Sequence, residues 1–159
     1  NYSKSKFLCE NYLKNLDKKI YDFNKIVLRL PGIIGKNNHN NFISNIVKNI
    51  IKKKKITFFS GENFFNNIYH VDLLADFIKS ILRKKFTKGF NIINVATSNP
   101  IKIKNIFRLI NKKLVIEEKN SDKKKNYPFI IKISHLRKYY KKISTKETLY
   151  NYFRSSGIS

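Results

Sequence analysis

Methionine and tryptophan are absent from this sequence of 159 residues, and cysteine occurs once, as Cys9. A single cysteine excludes an internal disulfide, and with three scattered histidines it gives no metal-ligand spacing. No apolar run reaches the roughly 18 residues that a membrane-spanning helix needs, and residues 1–10 lack the order of a signal peptide. We therefore expect a cytoplasmic protein without a metal. The missing methionine predicts a chain that begins downstream of an initiator.

Acidic residues are also scarce, since Asp and Glu total 10 against 34 Lys and Arg, for a net charge of +24. Segments 123–125 and 137–142 mix lysine with tyrosine as single-strand binders do. The basic residues, however, are 29 Lys and only 5 Arg, whereas dedicated nucleic-acid binders more often use Arg, because its guanidinium makes bidentate contacts with phosphate and guanine. Lys, Ile and Asn are the residues of A- and T-rich codons. A lysine-rich nucleic-acid-binding module is therefore kept as the alternative and not as the main hypothesis.

Apolar residues alternate along the chain between helical spacing and short continuous runs, which is typical of an α/β fold. The step 31–32 breaks a strand, as Pro-Gly pairs do. Asp72 is placed to cap a helix, because its carboxylate can accept the free N–H groups of a first turn. The pattern predicts helices over 2–19, 41–54, 72–84, 101–113, 134–141 and 145–153, strands over 26–30, 56–59, 68–71 and 90–95, and an exposed loop over 117–127.

Tyr2 and Lys6 are four residues apart, so a helix places both on one face. A phenol is a poor base at neutral pH, and an ammonium group beside it stabilises the phenolate. Such a pair can move a proton to or from a carbonyl or hydroxyl group, and the lysine can also bind a ribose hydroxyl. An ordinary amphipathic helix shows the same spacing in a chain rich in both residues. The catalytic interpretation therefore depends on the segments that follow.

Further segments in a fixed order carry a family resemblance. They are the helix with Tyr2, Lys6 and Glu10, the strand end 28–35, the strand-to-helix step 66–72, the strand 90–96 with the step 100–103, and the terminal segment 133–149. Together they resemble the extended short-chain dehydrogenase/reductase family, which includes the NAD-dependent nucleotide-sugar epimerases and dehydratases. The order holds over nearly the whole chain and is more specific than any single motif.

The resemblance implies an α/β fold made of the C-terminal part of a Rossmann-type NAD(P)-binding fold plus the smaller substrate-binding domain. Residues 1–35 and 61–96 would belong to the dinucleotide-binding domain, and residues 36–60 and 97–159 to the substrate-binding domain. The sequence contains neither the glycine-rich loop nor the catalytic Ser or Thr of the family. We therefore expect the C-terminal half of a longer enzyme, inactive alone.

The resemblance also implies an activity. It is that of an NAD(P)-dependent epimerase, dehydratase or reductase, acting by hydride transfer on a sugar or nucleotide-sugar with NAD or NADP as cofactor. The implied partners are a small-molecule substrate and a second copy in a homodimer, without nucleic acid or membrane. A catalytically degenerate family member is a second alternative.

Site residues follow from the same resemblance, position by position. Tyr2 would be the general acid/base, Lys6 its partner, and the cofactor would contact both of them and Pro31. The substrate-binding positions would be Gly32, Asn41 and Asn66. Gly32 stands where the family has Asn, and Asn66 where it has the Arg that grips a nucleotide diphosphate. These two departures put a classical nucleotide-diphosphate sugar in doubt.

Other chemistry-bearing residues have plainer interpretations. His70 is expected to be structural, because no carboxylate partner is visible near it in the sequence. Cys9 is expected to be a small core residue. The run 52–55 reads as the solvated end of a helix, where lysine also favours the dipole.

Overall fold

The computed structural model describes residues 2–16, 24–36, 40–83, 89–110, 114–119, 130–133 and 142–158. No helix among them is both long and apolar enough to cross a membrane. The elements in chain order are α1 (Tyr2–Asn15), β1 (Lys25–Arg29), β2 (Gly32–Ile34), α2 (Phe42–Ile51), β3 (Ile56–Phe59), β4 (Phe64–Phe65), β5 (Ile68–His70), α3 (Val71–Arg83), β6 (Phe90–Asn94), β7 (Ile101–Lys102), α4 (Ile103–Ile106), a 3₁₀ turn (Phe107–Leu109), β8 (Ile116–Lys119) and α5 (Thr145–Ser155).

The strands of the described residues pair in four two-stranded ladders. β1 pairs with β6, β2 with β5 and β3 with β8, all parallel, whereas β4 and β7 are antiparallel. Parallel partners need a crossover connection, and helices such as α2 and α3 lie in these connections. Parallel strands joined through helices confirm the predicted α/β class.

Two groups of buried apolar side chains support these ladders. The larger joins α2, β3, α4 and α5, and its members Ile43 and Phe153 are fully buried. The smaller lies between α3 and β6 and includes Phe77 and Ile93. α2 contributes Ile43, Ile46, Val47 and Ile50, which are spaced three and four apart on one side; Phe42 and Ile51, expected from the sequence on the same side, are exposed.

The turn between β3 and β4 is held by polar contacts from three later elements, β7, α4 and β8. The Gly61 N–H donates to Oε1 of Glu118 at 2.8 Å, and the Lys104 N–H donates to the Gly61 carbonyl at 3.0 Å. The Glu62 carboxylate accepts from Lys102 at 2.9 Å and also pairs with Lys104. A Cβ atom on Gly61 would lie 2.9 Å from the Glu118 carboxylate oxygens, so glycine is what allows this approach.

Two predicted segments have a different structure. In place of a helix over 101–113, residues 101–102 form β7 because they pair with β4, and only α4 and a 3₁₀ turn follow. In the segment predicted as a loop, residues 116–119 form a strand because they pair with β3. The rest of that loop, together with the helix predicted over 134–141, lies outside the described residues.

Three side chains also differ from expectation. α3 begins at Val71, so Asp72 lies in its first turn and is not the cap. The Asp72 N–H donates to Nδ1 of His70 at 3.3 Å, and the Asp72 carboxylate lies 3.5 Å from the same nitrogen, so His70 does have an acidic neighbour. Cys9 is exposed and not in the core, because none of the side chains of α1 is buried.

Candidate functional site

α1 carries Tyr2, Lys6 and Glu10 on one face, because residues four apart in a helix lie above one another. The Lys6 ammonium lies 5.3 Å from the centre of the Tyr2 ring, within the range of a cation–π contact. The Tyr2 side chain is 76% exposed, so its hydroxyl is accessible to a ligand. The structure thus brings together the two residues that the sequence singled out for proton transfer.

α1 is attached to β1 by polar contacts. Arg29 donates from Nε to one oxygen of Glu10 at 2.9 Å and from a terminal nitrogen to the other oxygen at 2.6 Å. Lys25 donates from Nζ to the carbonyl of Leu16 at 2.9 Å, just past the end of the helix. The hydrogen bonds from Arg29 hold the pKa of the Glu10 carboxyl below its usual range, and the same bonds raise the pKa of Arg29.

A first cleft of 530 Å³ opens between the start of α1 and the segment that follows β1. We call it the tyrosine cleft. Its position beyond the carboxyl end of a parallel strand is where α/β folds bind ligands. Three of the predicted site residues, Pro31, Gly32 and Asn41, line it beside Tyr2. The remaining lining residues are Ile33, Ile34, Gly35, Lys36 and Val71.

A second cleft of 430 Å³ shares Gly32 and Asn41 with the first. We call it the phenylalanine cleft, because Phe42, Phe58, Phe59 and Phe65 line it. None of its lining residues in the described part of the chain is ionisable. The other members are Ile43, Thr57, Asn67, Ile68 and Ile103.

The two residues shared by the clefts have different roles. Gly32 has no side chain to separate them, and a Cβ atom there would lie 3.3 Å from the Asn67 carbonyl oxygen. Asn41 caps α2, since its Oδ1 accepts from the Ser44 N–H at 2.9 Å, and its Nδ2 donates to the Ile33 carbonyl at 2.9 Å. Asn41 therefore fixes the start of α2 against β2 at the junction of the clefts.

Asn66, the third predicted substrate residue, does not line either cleft. It is 2% exposed, and its Nδ2 donates to the carbonyls of Thr97 and Ile131, both at 3.0 Å. Its Oδ1 accepts from the Ile131 N–H at 2.8 Å. A second buried contact joins the hydroxyls of Thr97 and Thr145 at 2.8 Å. The Asn66 amide is thus used to join chain segments.

The phenylalanine cleft was missed by sequence reasoning. β3 alternates buried Ile56 and Phe58 with exposed Thr57 and Phe59, and Phe59 is 52% exposed. A large aromatic residue on the open face of a short strand is the signal that could have indicated a binding surface. Within the described residues, no group of three or more His, Cys, Asp and Glu could hold a metal ion.

Comparison with known structures gives the same fold. A UDP-N-acetylglucosamine 4-epimerase from Methanobrevibacter ruminantium matches 96% of this chain and 52% of its own, with a TM-score of 0.71 and 20% identity. A dTDP-4-dehydrorhamnose reductase from Bacillus anthracis, in complex with NADP, matches 97% and 54%, with a TM-score of 0.70 and 19% identity. A UDP-glucuronic acid 4-epimerase from Bacillus cereus, in complex with NAD, matches 95% and 47%, with a TM-score of 0.66 and 18% identity.

These matches confirm the predicted Rossmann-type α/β fold. The chain spans about half the length of the structures that it matches. A comparison with curated protein sequences finds no match. The sequence profile of the NAD dependent epimerase/dehydratase family matches residues 1–96, which is more than half of the chain. This chain therefore belongs to the NAD dependent epimerase/dehydratase family.

Proposed function

We propose that the whole protein is an NAD(P)-dependent epimerase, dehydratase or reductase of sugars or nucleotide-sugars, and that this chain supplies its proton-transferring tyrosine and its substrate cleft. The observation that carries the proposal is the position of Tyr2. Its side chain has the Lys6 ammonium beside it and borders a cleft that continues into an apolar one. Family membership and neighbours that bind NAD, NADP or UDP-sugars support it.

The residues around the tyrosine cleft fit the nicotinamide end of NAD or NADP. The Tyr2 hydroxyl and the Lys6 ammonium can each donate a hydrogen bond to a hydroxyl oxygen of a ribose. Pro31 and Gly32 border the cleft with little side-chain bulk, which leaves room for a flat ring. When bound, the nicotinamide supplies hydride acceptance and donation. The five glycines of this chain are scattered, so they form no dinucleotide fingerprint.

Tyr2 would act on the proton that accompanies hydride transfer. As the phenolate, its Oη takes the proton from a sugar hydroxyl while the carbon of that hydroxyl loses hydride, and a carbonyl results. In the reverse direction Oη returns the proton to the carbonyl oxygen. The Lys6 ammonium lies 5.3 Å from the centre of the Tyr2 ring, so positive charge stands beside this proton exchange. Epimerases, dehydratases and reductases share this exchange, and the proposal covers all three.

The phenylalanine cleft would hold the part of the substrate that does not react. Its apolar lining and exposed Phe59 suit the flat face of a nucleobase or another apolar group. The N-terminal end of α2 borders the same cleft, and the N–H groups of a first turn attract phosphate. Asn66 is left out of the proposed site because its amide is buried and bonded.

We also propose the domain organisation and location of the protein. Residues 1–35 and 61–96 would belong to the dinucleotide-binding domain, residues 36–60 and 97–159 to the substrate-binding domain, and the protein would lie in the cytoplasm. We further propose a homodimer, since α1 exposes the apolar side chains of Phe7 and Leu8 to solvent. Sedimentation velocity of the purified protein tests this state, and a monomer at all concentrations would contradict it.

The test of the proposed function is substitution of Tyr2 in the full-length gene product. Tyr2→Phe removes the hydroxyl that moves the proton, so we expect kcat to fall by about 100-fold or more. Tyr12→Phe is the matched control, because Tyr12 is an equally exposed tyrosine of α1 that lines neither cleft. The assay offers UDP- and dTDP-sugars with NAD or NADPH and follows products by NMR.

Three outcomes would contradict the proposal. Unchanged turnover in Tyr2→Phe would remove the tyrosine mechanism. Absence of turnover in the unmodified protein, with NAD and nucleotide-sugars still bound, would indicate the degenerate family member. Tight, sequence-selective binding of nucleic acid at physiological salt would favour the lysine-rich binding module in place of an enzyme.

A further inference from the structure

α1 reaches the tyrosine cleft without packing into the core. None of its fourteen residues, Tyr2–Asn15, is buried. Two polar contacts help to set its position relative to β1, those of Arg29 with Glu10 and of Lys25 with the Leu16 carbonyl. Whatever fixes α1 also fixes the Tyr2 hydroxyl.

The two contacts define the direction of the helix. Lys25 is the first residue of β1 and holds the chain just past the carboxyl end of α1, whereas Arg29 is the last residue of β1 and holds Glu10. The helix therefore runs back along the strand. At about 1.5 Å per residue, Tyr2 lies roughly 12 Å beyond Glu10, past the end of β1. That is where Tyr2 lines the cleft with Pro31.

The contact at Glu10 restricts the orientation of α1 more than the contact at Leu16 does. Two parallel bonds between a guanidinium and a carboxylate fix an angle as well as a distance, whereas one bond from an ammonium group fixes a distance only. The Glu10 side chain is 17% exposed, although it belongs to a helix without buried residues. Since Arg29 lowers the pKa of Glu10, the carboxylate stays ionised through the neutral range.

We propose that Glu10 and Arg29 are positioning residues that aim the Tyr2 hydroxyl at the tyrosine cleft. This inference rests on the proposed function, because it assumes that Tyr2 transfers the proton. Arg29 ends the strand from which the cleft-lining segment of Pro31 and Gly32 departs. The pair therefore connects the proton-transferring group directly to the wall against which the reacting ligand lies. A misplacement of about 1 Å can cost about 100-fold in rate.

Mild variants of the full-length protein test the inference. Glu10→Gln keeps the shape of the side chain and loses its charge. Arg29→Lys keeps the positive charge and loses the guanidinium group that makes two parallel hydrogen bonds. We expect each to lower kcat by about 10-fold to 100-fold with KM within about twofold. The pH at half-maximal rate should not move, because Tyr2 and Lys6 remain together on α1. The double variant should lose no more than the worse single variant, since both act through one contact.

The matched control is Glu117→Gln, which breaks the exposed ion pair of Glu117 with Lys55, 3.1 Å apart; neither residue lines either cleft. It should leave kcat unchanged. Full kcat in Arg29→Lys, additive losses in the double variant, or an equal loss in Glu117→Gln would each overturn the inference. Tyr2→Phe separates the two proposals. If this variant stays active, the tyrosine mechanism is wrong. If it is inactive while Arg29→Lys is fully active, only the positioning role is wrong.

Discussion

The side chain of Asn66 makes structural contacts at a position that the resemblance predicted to bind substrate. Its amide is buried and bonded to Thr97 and Ile131. A buried amide without these partners would be unfavourable, because its polar groups would lose water without replacement. The amide therefore contributes to stability through the segments that it joins.

We expect Asn66→Ala to lower the free energy of unfolding by about 1–3 kcal/mol, because the Thr97 and Ile131 backbone groups lose their partner. Urea unfolding followed by circular dichroism measures this change. Asn45→Ala, at an exposed position of α2, is the control and should change stability by less than about 0.5 kcal/mol. A loss at Asn66 no larger than at Asn45 would contradict the structural role.

At the scale of single residues, spacing placed Tyr2 and Lys6 on one helical face, and the resemblance carried by the other segments selected them as the catalytic pair. Gly32, Pro31 and Asn41 were placed by resemblance, and the structure brings them to one cleft with Tyr2. The fate of Asn66 could not be read from the sequence. Whether an amide faces a ligand or the interior depends on segments far along the chain, here the one around Ile131.

Among the elements, the β3–β4 turn depends on charge for part of its attachment. Glu62 accepts from Lys104 and Lys102, and these hydrogen bonds lower the pKa of its carboxyl to about 2. A pKa lowered in the folded state gives stability that is present above the unfolded value of 4.5 and is lost as the pH falls towards 2. The turn is therefore expected to loosen in acid.

We expect Glu62→Gln to make the protein less stable than the unmodified chain at pH 6, and the difference to shrink as the pH falls from 4.5 towards 2, because the carboxylate becomes protonated first in the unfolded and then in the folded state. Urea midpoints at several pH values measure the difference. The effect should shrink in concentrated salt, because the three side chains are exposed to solvent. Asp76→Asn, at an exposed position of α3, is the control. A Glu62 effect that did not change with pH would contradict the ion-pair origin.

Element prediction succeeded where local patterns and packing agree. β1, β3, α2 and α5 were found because their apolar residues repeat at the period of the element that buries them. β8 was missed, because its charged residues become a strand only through pairing with β3. The helix predicted to begin at residue 101 begins later for a similar reason, because residues 101–102 pair with β4 as a strand.

For the molecule as a whole, net charge opposes compactness. With 34 basic residues against 10 acidic ones, the chain carries a net charge of +24. We expect the urea midpoint to rise when NaCl goes from about 20 mM to about 500 mM, because screening weakens this repulsion over a Debye length. Equal concentrations of a neutral osmolyte serve as the control. A midpoint that falls with salt would show that ion pairs outweigh the repulsion.

Fold class and family followed from the order of several segments along the chain, and the profile match and the structural matches confirm them. Net charge alone pointed to nucleic acid, because composition does not tell whether a lysine serves a partner or only faces water. Order along the chain is the better guide, since parallel strands and their crossovers impose a sequence of elements that chance composition does not reproduce.

The strand order also bears on how this polypeptide reaches its native state. No described ladder is a hairpin, since each strand pairs with one that is not its neighbour in sequence. β1 can form its main-chain hydrogen bonds only after β6 has been synthesised, and β3 only after β8. During synthesis at about 5–20 residues per second, these apolar strands remain unpaired for seconds. We therefore expect slow folding from the topology, independently of any ligand.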